Sequence, residues 1–132
     1  MTLVREAMIT DPRVCEADAT AQEAGEALSR PEVRAVFVCD EGGRLVGVVT
    51  RKTLVREVVA PGRDPAATPL AEIAEEPHWT IDADMPVEDA FQLIEERDAE
   101  RVPVVDDGRL VGVLSRELLQ RRLAEDEDQQ QV

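Results

Sequence analysis

Thr50-Arg51 and Ser115-Arg116 are the two places in this chain where residue type and spacing could do chemistry. Each sets a hydroxyl beside a guanidinium, and each hydroxyl ends an apolar run that reads as a strand. A Ser or Thr where a strand ends and a helix begins is a good N-cap, accepting from an orphan backbone amide. The first free amides of the helix, the hydroxyl and the arginine together suit a phosphate. A plainer reading serves the same residues: a cap worth about 1 kcal/mol and an arginine in a surface ion pair. Residue type alone admits both.

Other chemistry finds little support. Cys15 and Cys39 are the only cysteines, too far apart for a zinc motif and without a Cys-x-x-Cys. Both lie in apolar strand contexts, where a buried free thiol is expected. His78 is the only histidine, which leaves a histidine-based metal site or triad without partners. The hydroxyl–arginine pairs have no nucleophile–base pair or carboxylate dyad beside them, so the expectation is a protein without catalytic residues, metal or required cofactor. Gly47 and Gly112 have no lysine following in a phosphate-loop arrangement and read as close-packing positions. Trp79 could stack on a base or sit half-buried at the start of a strand.

The two pairs are positioned by a duplication. GRLVGVVTR at 43–51 returns as GRLVGVLSR at 108–116, about half the chain later. Upstream, VFVCD at 36–40 meets VPVVD at 102–106, and the amphipathic run 20–28 meets 86–94. The copies differ in length only at the turn, Glu41-Gly42-Gly43 against Asp107-Gly108, a variation hairpins tolerate. One supersecondary unit is present twice.

Within a unit, Thr20-Ala-Gln-Glu23 has capping-box spacing. Ala21, Ala24, Gly25 and Leu28 then share one helical face, matched by Val87, Ala90, Phe91 and Ile94 after Pro86. Strands rich in β-branched residues follow at 35–39 and 102–105, then a turn, then strands at 45–49 and 110–114, predicting antiparallel hairpins. Helices are expected at 51–59 and 116–123, and short strands around 14–16 and 79–82. The unit is thus strand–helix–strand–strand–helix. A Pro/Gly-bearing linker spans 60–69, and helical pieces at 3–8 and 70–75 are expected to lead into the first and second units.

With 132 residues, 43% hydrophobic but only 2% aromatic, the core must be built from Val, Leu, Ile and Ala. No apolar run approaches a membrane span and residues 1–10 lack a signal-peptide stretch, so a soluble cytoplasmic protein is expected. The net charge of −14 repels nucleic acid and anionic membrane, and neither is expected as a partner.

Pro103-Val-Val-Asp106, a glycine turn and Gly112-Val-Leu-Ser115 opening a helix, with Val36-Phe-Val-Cys-Asp40 and Gly47-Val-Val-Thr50 in the first copy, resemble the tandem CBS-domain family over residues 4–123. The resemblance implies an α/β (α+β) fold of two CBS repeats, packed as one pseudo-twofold module with two clefts between them. The corresponding division is 1–62 for the first repeat, 63–123 for the linker and second repeat, and 124–132 for an acidic disordered tail. Such modules are often homodimers. Leu54, Val58, Leu119 and Leu123 on the flanking helices are expected to lack partners within one chain and to be buried at a roughly twofold interface.

The family commonly binds adenine nucleotides or related adenosyl ligands in those clefts, which implies AMP, ADP, ATP or S-adenosylmethionine here. Carried over by position, phosphate contacts fall on Thr50, Arg51, Arg101, Ser115 and Arg116. The adenine region falls on the backbone near Val36, Val102 and Pro103, with Cys15 and Thr80. Many relatives carry an aspartate for the ribose hydroxyls three residues after the Thr or Ser; this chain has Thr53 and Leu118 there. Thr53 can still bond a hydroxyl and Leu118 cannot. Ala35 stands at the first repeat's counterpart of Arg101. The leading expectation is a stand-alone regulatory module that binds an adenosine-containing ligand and signals to a partner protein. The alternative is a structural or dimerisation module whose clefts take no nucleotide.

Overall fold

The computed structural model describes residues 1–10, 12–77 and 79–130. It is a mixed α+β structure with two three-stranded sheets, one in each of two compact units: Arg13–His78, and Met1–Pro12 together with Trp79–Val132.

In the Arg13–His78 unit, β1 (Val14–Glu16) pairs in parallel with β2 (Val36–Cys39), and β2 pairs antiparallel with β3 (Leu45–Val49). The helix α2 (Ala21–Leu28) joins β1 to β2 and starts with the expected capping box. Thr20 Oγ1 accepts from the Glu23 amide at 3.2 Å, while the Glu23 carboxylate accepts from the Thr20 amide at 3.1 Å. Its buried face, Ala21, Ala24 and Leu28, packs with Val36, Val38 and Val49 of the sheet. After β3 comes α3 (Arg51–Leu54), which widens at once into a π-helical turn, Val55–Val59. The linker contributes a 3-10 turn at Pro65–Ala67 and then α4 (Leu70–Ile73), whose Leu70 and Ile73 enter the same core.

The other unit repeats the plan. Here β4 (Ile81–Asp82) runs parallel to β5 (Arg101–Asp106), which forms an antiparallel hairpin with β6 (Arg109–Ser115). The hairpin turn puts Asp107 at φ 52° and Gly108 at φ 80°, the paired positive angles of a tight two-residue turn. Between β4 and β5, α5 (Val87–Glu96) buries Val87, Ala90 and Ile94. The last helix, α6 (Arg116–Gln130), buries Leu119. Residues 124–130, expected as an open tail, continue α6; the run 116–130 has neither Pro nor Gly and is rich in helix formers. Residues 131–132 lie outside the described ones.

Packing does not follow chain order. The first leader helix, α1 (Val4–Ala7), was expected to lead into the first repeat, yet it inserts Val4 into the core of the unit holding the second. Backbone bonds fix it there, from the Val4 amide to Met85 O and from the Arg5 amide to Ala83 O, both 2.9 Å. Conversely α4, ahead of the second repeat in sequence, completes the first. Each leader also bridges a sheet edge, Ile9 against Val113 and Glu75 against Val48. This explains the repeated glycine of the duplicated motif. A Cβ on Gly112 would stand 2.7 Å from Ile9 O and 2.6 Å from Met8 Sδ, and one on Gly47 2.8 Å from Glu75 O. Both are close-packing positions, as their sequence context suggested.

The expectation for the flanking helices needs correction. Val58 and Leu119 are core residues, and Leu54 and Leu123 pack against the cores of their own units. The second helix of each repeat turns these side chains onto its own sheet. Val55 and Val59 are the most open apolar side chains described on these helices, at 58% and 69% exposure, ahead of Leu118 at 40%.

Candidate functional site

The two strand–helix junctions have different chemistry. At the first, Thr50 is the N-cap of α3, and its Oγ1 accepts from the Thr53 amide at 3.3 Å. Thr53 Oγ1 accepts in return from the Thr50 amide at 3.0 Å, and the two hydroxyls stand 3.1 Å apart. Thr53 is fully buried. Its hydroxyl closes a reciprocal cap with Thr50. The Arg51 guanidinium donates to two backbone carbonyls after α2, Arg30 O at 2.8 Å and Val33 O at 2.9 Å. Among the described residues Arg51 has no ion-pair partner; its guanidinium is held by these carbonyls. Val36 pairs with Val49, next to this junction, and is fully buried.

The second junction is looser. Ser115 Oγ accepts from the Leu118 amide at only 3.5 Å, at the far limit of a hydrogen bond. Leu118 is 40% exposed and cannot close a cap from the other side; Leu119 faces the core instead. Arg101 pairs with Ser115 across β5–β6, so the guanidinium-bearing residue and the hydroxyl end adjacent strands together. Arg101 is exposed, and no carboxylate among the described residues pairs with it. Among the described residues Arg116 makes one charged contact, from Nη1 to Asp98 Oδ1 at 3.0 Å. Val102 and Pro103 are buried beside Arg101, paired with Leu114 and Val113. Thr80 is exposed immediately ahead of β4. The structure therefore gathers Thr80, Arg101, Val102, Pro103, Ser115 and Arg116 at one end of one sheet.

Cys15 and Thr80 are not equivalent positions. Cys15 pairs with Val38 as Ile81 pairs with Val104, so Val14 is the counterpart of Thr80. Burial pushes the Cys15 and Cys39 thiols above their ordinary value of 9.0, with Glu23 and Asp40 respectively adding to the effect. Both stay protonated and unreactive near neutral pH. Among the described residues no group of three His, Cys, Asp or Glu side chains could hold a metal ion. Nor is any helix there long and apolar enough to cross a membrane.

Sequence reading missed Arg97 and Asp98. Arg97 covers one face of the half-buried Trp79 ring, its Cζ 5.1 Å from the centroid, and Asp98 holds Arg116. Both lie in the polar run Glu95–Glu100, which carries no spacing signal distinguishing them from solvated charge.

The sequence model described as CBS domain matches residues 4–60 and again 70–125. The chain belongs to the CBS-domain family. Among similar CBS proteins, Hypoxic response protein 1 of Mycobacterium tuberculosis is 27% identical over 125 residues, 95% of this chain and 87% of that protein. The CBS domain-containing protein YhcV of Bacillus subtilis is 30% identical over 115 residues, 87% of this chain and 81% of its own. Solved structures agree on the fold. Hypoxic Response Protein I, crystallised with two coordinated zinc ions, superposes with a TM-score of 0.78 at 26% identity, covering 92% of this chain and 99% of that one. CBSX2 in complex with AMP gives 0.77 at 23% identity, covering 96% and 99%. The CBS pair of protein MJ0100, in complex with 5'-methylthioadenosine and S-adenosyl-L-methionine, gives 0.71 at 24%, covering 96% and 98%.

Proposed function

We propose that this CBS pair is a regulatory module that binds an adenosine-containing ligand and signals to a partner protein, acting by binding and not by catalysis. The ligand is AMP, ADP, ATP or S-adenosylmethionine, and its charged end is held at the second repeat by Ser115, Arg116 and Arg101. The adenine lies along the Val102–Pro103 backbone near Thr80. The observation that carries this reading is the pairing of Arg101 with Ser115 at the open end of β5–β6, beside an Arg116 held by an exposed carboxylate. A guanidinium without a carboxylate partner among the described residues, near a half-used cap hydroxyl, is available to a phosphate. The AMP complex of CBSX2 and the S-adenosyl-L-methionine complex of the MJ0100 pair support the choice of ligand class. At the first repeat Thr50 and Thr53 cap each other and Arg51 Nη2 donates to Arg30 O and Val33 O, so Cys15, Val36 and that junction make the weaker site.

A ligand at 100 times its dissociation constant stabilises the native state by about 2.7 kcal/mol, several degrees in Tm. We expect this from at least one of the four ligands in a thermal-shift panel confirmed by calorimetry. Arg101→Ala is expected to cost about 1.5–3 kcal/mol of affinity, tenfold or more in Kd. A flat response to all four at millimolar concentration favours the second reading, a dimerisation module without nucleotide. Exposed Val55 and Val59 and the missing ribose carboxylates at Thr53 and Leu118 speak for that reading. Under either reading the protein is proposed to be a homodimer located in the cytoplasm.

A further inference from the structure

The turn from α5 into β5 is held from two sides. Arg97, the C-cap of α5, lies over Trp79. The next residue, Asp98, adopts φ 51°, a left-handed conformation that Asp and Asn tolerate better than other side chains. Its carboxylate is the charged partner of Arg116 among the described residues. Two consecutive residues thus tie the first residue of α6 to the face of Trp79.

The two ends of the Arg116–Asp98 contact differ in environment. The Arg116 side chain is 23% exposed and that of Asp98 91%. Water can replace Arg116 as the partner of such an open carboxylate at little cost. The Arg116 guanidinium, less open to water, gains more from an anionic partner. At the first repeat the matching Arg51 Nη2 donates to two backbone carbonyls, Arg30 O and Val33 O, which would lose this donor if an anion took it. Of the two junction arginines, Arg116 is the one with a carboxylate partner among the described residues.

We propose that Asp98 is the internal counter-ion of a latch: without a bound anion it holds Arg116 and keeps Arg97 on Trp79, and a phosphate that takes Arg116 releases Asp98 and with it the Arg97–Trp79 contact. The anion input rests on the ligand reading above; the linkage from Arg116 through Asp98 and Arg97 to Trp79 does not. A local exchange of ion partners would thereby change the surface around Trp79 that a partner protein meets.

Trp79 is the only tryptophan in this sequence and there is no tyrosine, so the intrinsic fluorescence of this chain reads the latch directly. Arg97→Gln defines the released signal in emission maximum and acrylamide quenching. Asp98→Asn keeps a residue suited to the left-handed backbone while removing the charge. Without ligand, Asp98→Asn and Arg116→Gln are each expected to move Trp79 at least half of the way to the Arg97→Gln signal. The Arg97→Gln/Asp98→Asn double variant is expected to move it no further than Arg97→Gln alone. An Asp98→Asn protein with the parent's signal overturns the linkage, and so does an Arg97→Gln protein with the parent's signal. AMP is the probe for the input. AMP that binds by calorimetry yet leaves parent Trp79 unchanged overturns the latch as a ligand sensor. If AMP, ADP, ATP and S-adenosylmethionine all fail to bind while Asp98→Asn still shifts the signal, the ligand reading is overturned and the linkage upheld.

Discussion

A hydroxyl at the start of a helix can serve its own backbone or a ligand, and Thr50 and Ser115 divide on that choice. Thr50 is locked into a reciprocal box with a buried Thr53, whereas Ser115 faces Leu118, which has no side-chain acceptor to return. Replacing Thr53 by Val keeps the volume and removes the acceptor for the Thr50 amide. We expect Thr53→Val to destabilise the protein by about 1–2 kcal/mol. Urea denaturation with an unchanged m-value checks this. The matching exposed position is tolerant: Leu118→Ala is expected to change stability by less than about 0.5 kcal/mol.

At the scale of elements, the leaders at the chain start and in the linker act as straps, each finishing a sheet in the unit it joins. Their grip depends on the absence of a side chain at Gly112 and Gly47. Gly112→Ala forces Ile9 O and Met8 away, and overpacking of this kind costs about 1–3 kcal/mol. Hydrogen exchange is expected to show the Ile9 and Val113 amides losing protection while Val104 keeps its own. Gly25 supplies the opposite case. It is helical, and an added Cβ meets Leu54 Cδ1 at an ordinary 3.8 Å. Gly25→Ala should therefore stabilise the protein by about 0.5–1 kcal/mol through a stiffer unfolded chain and better helix propensity.

For the whole molecule, the open apolar surface on the π-helical turn and the net charge pull association in opposite directions. Val55 and Val59 lie one turn apart and are both mostly exposed, the kind of side chains a second copy would cover. Two chains of charge −14 repel each other, so added salt is expected to tighten a homodimer instead of loosening it. Light scattering at high micromolar concentration should give a dimer mass for the parent and a monomer mass for Val55→Asp/Val59→Asp. A parent monomer at all salt concentrations would remove the dimer from the reading.

The sequence by itself determined the duplication, the strand–helix–strand–strand–helix order, the capping box at Thr20 and the hydroxyl–arginine pairs, because each rests on local periodicity and on residues within a few positions of one another. It also showed that the two junctions differ three residues on, Thr53 against Leu118. Tertiary structure alone decided which leader completes which repeat, since a strap's partner is a sheet edge far along the chain. It alone decided that Leu119 and Val58 turn inward while Val55 and Val59 stay open. It alone separated two junctions of nearly identical sequence, because what Arg51 and Arg116 touch is set by the turns after α2 and α5. Those turns differ, and the duplicated motif carries no record of them.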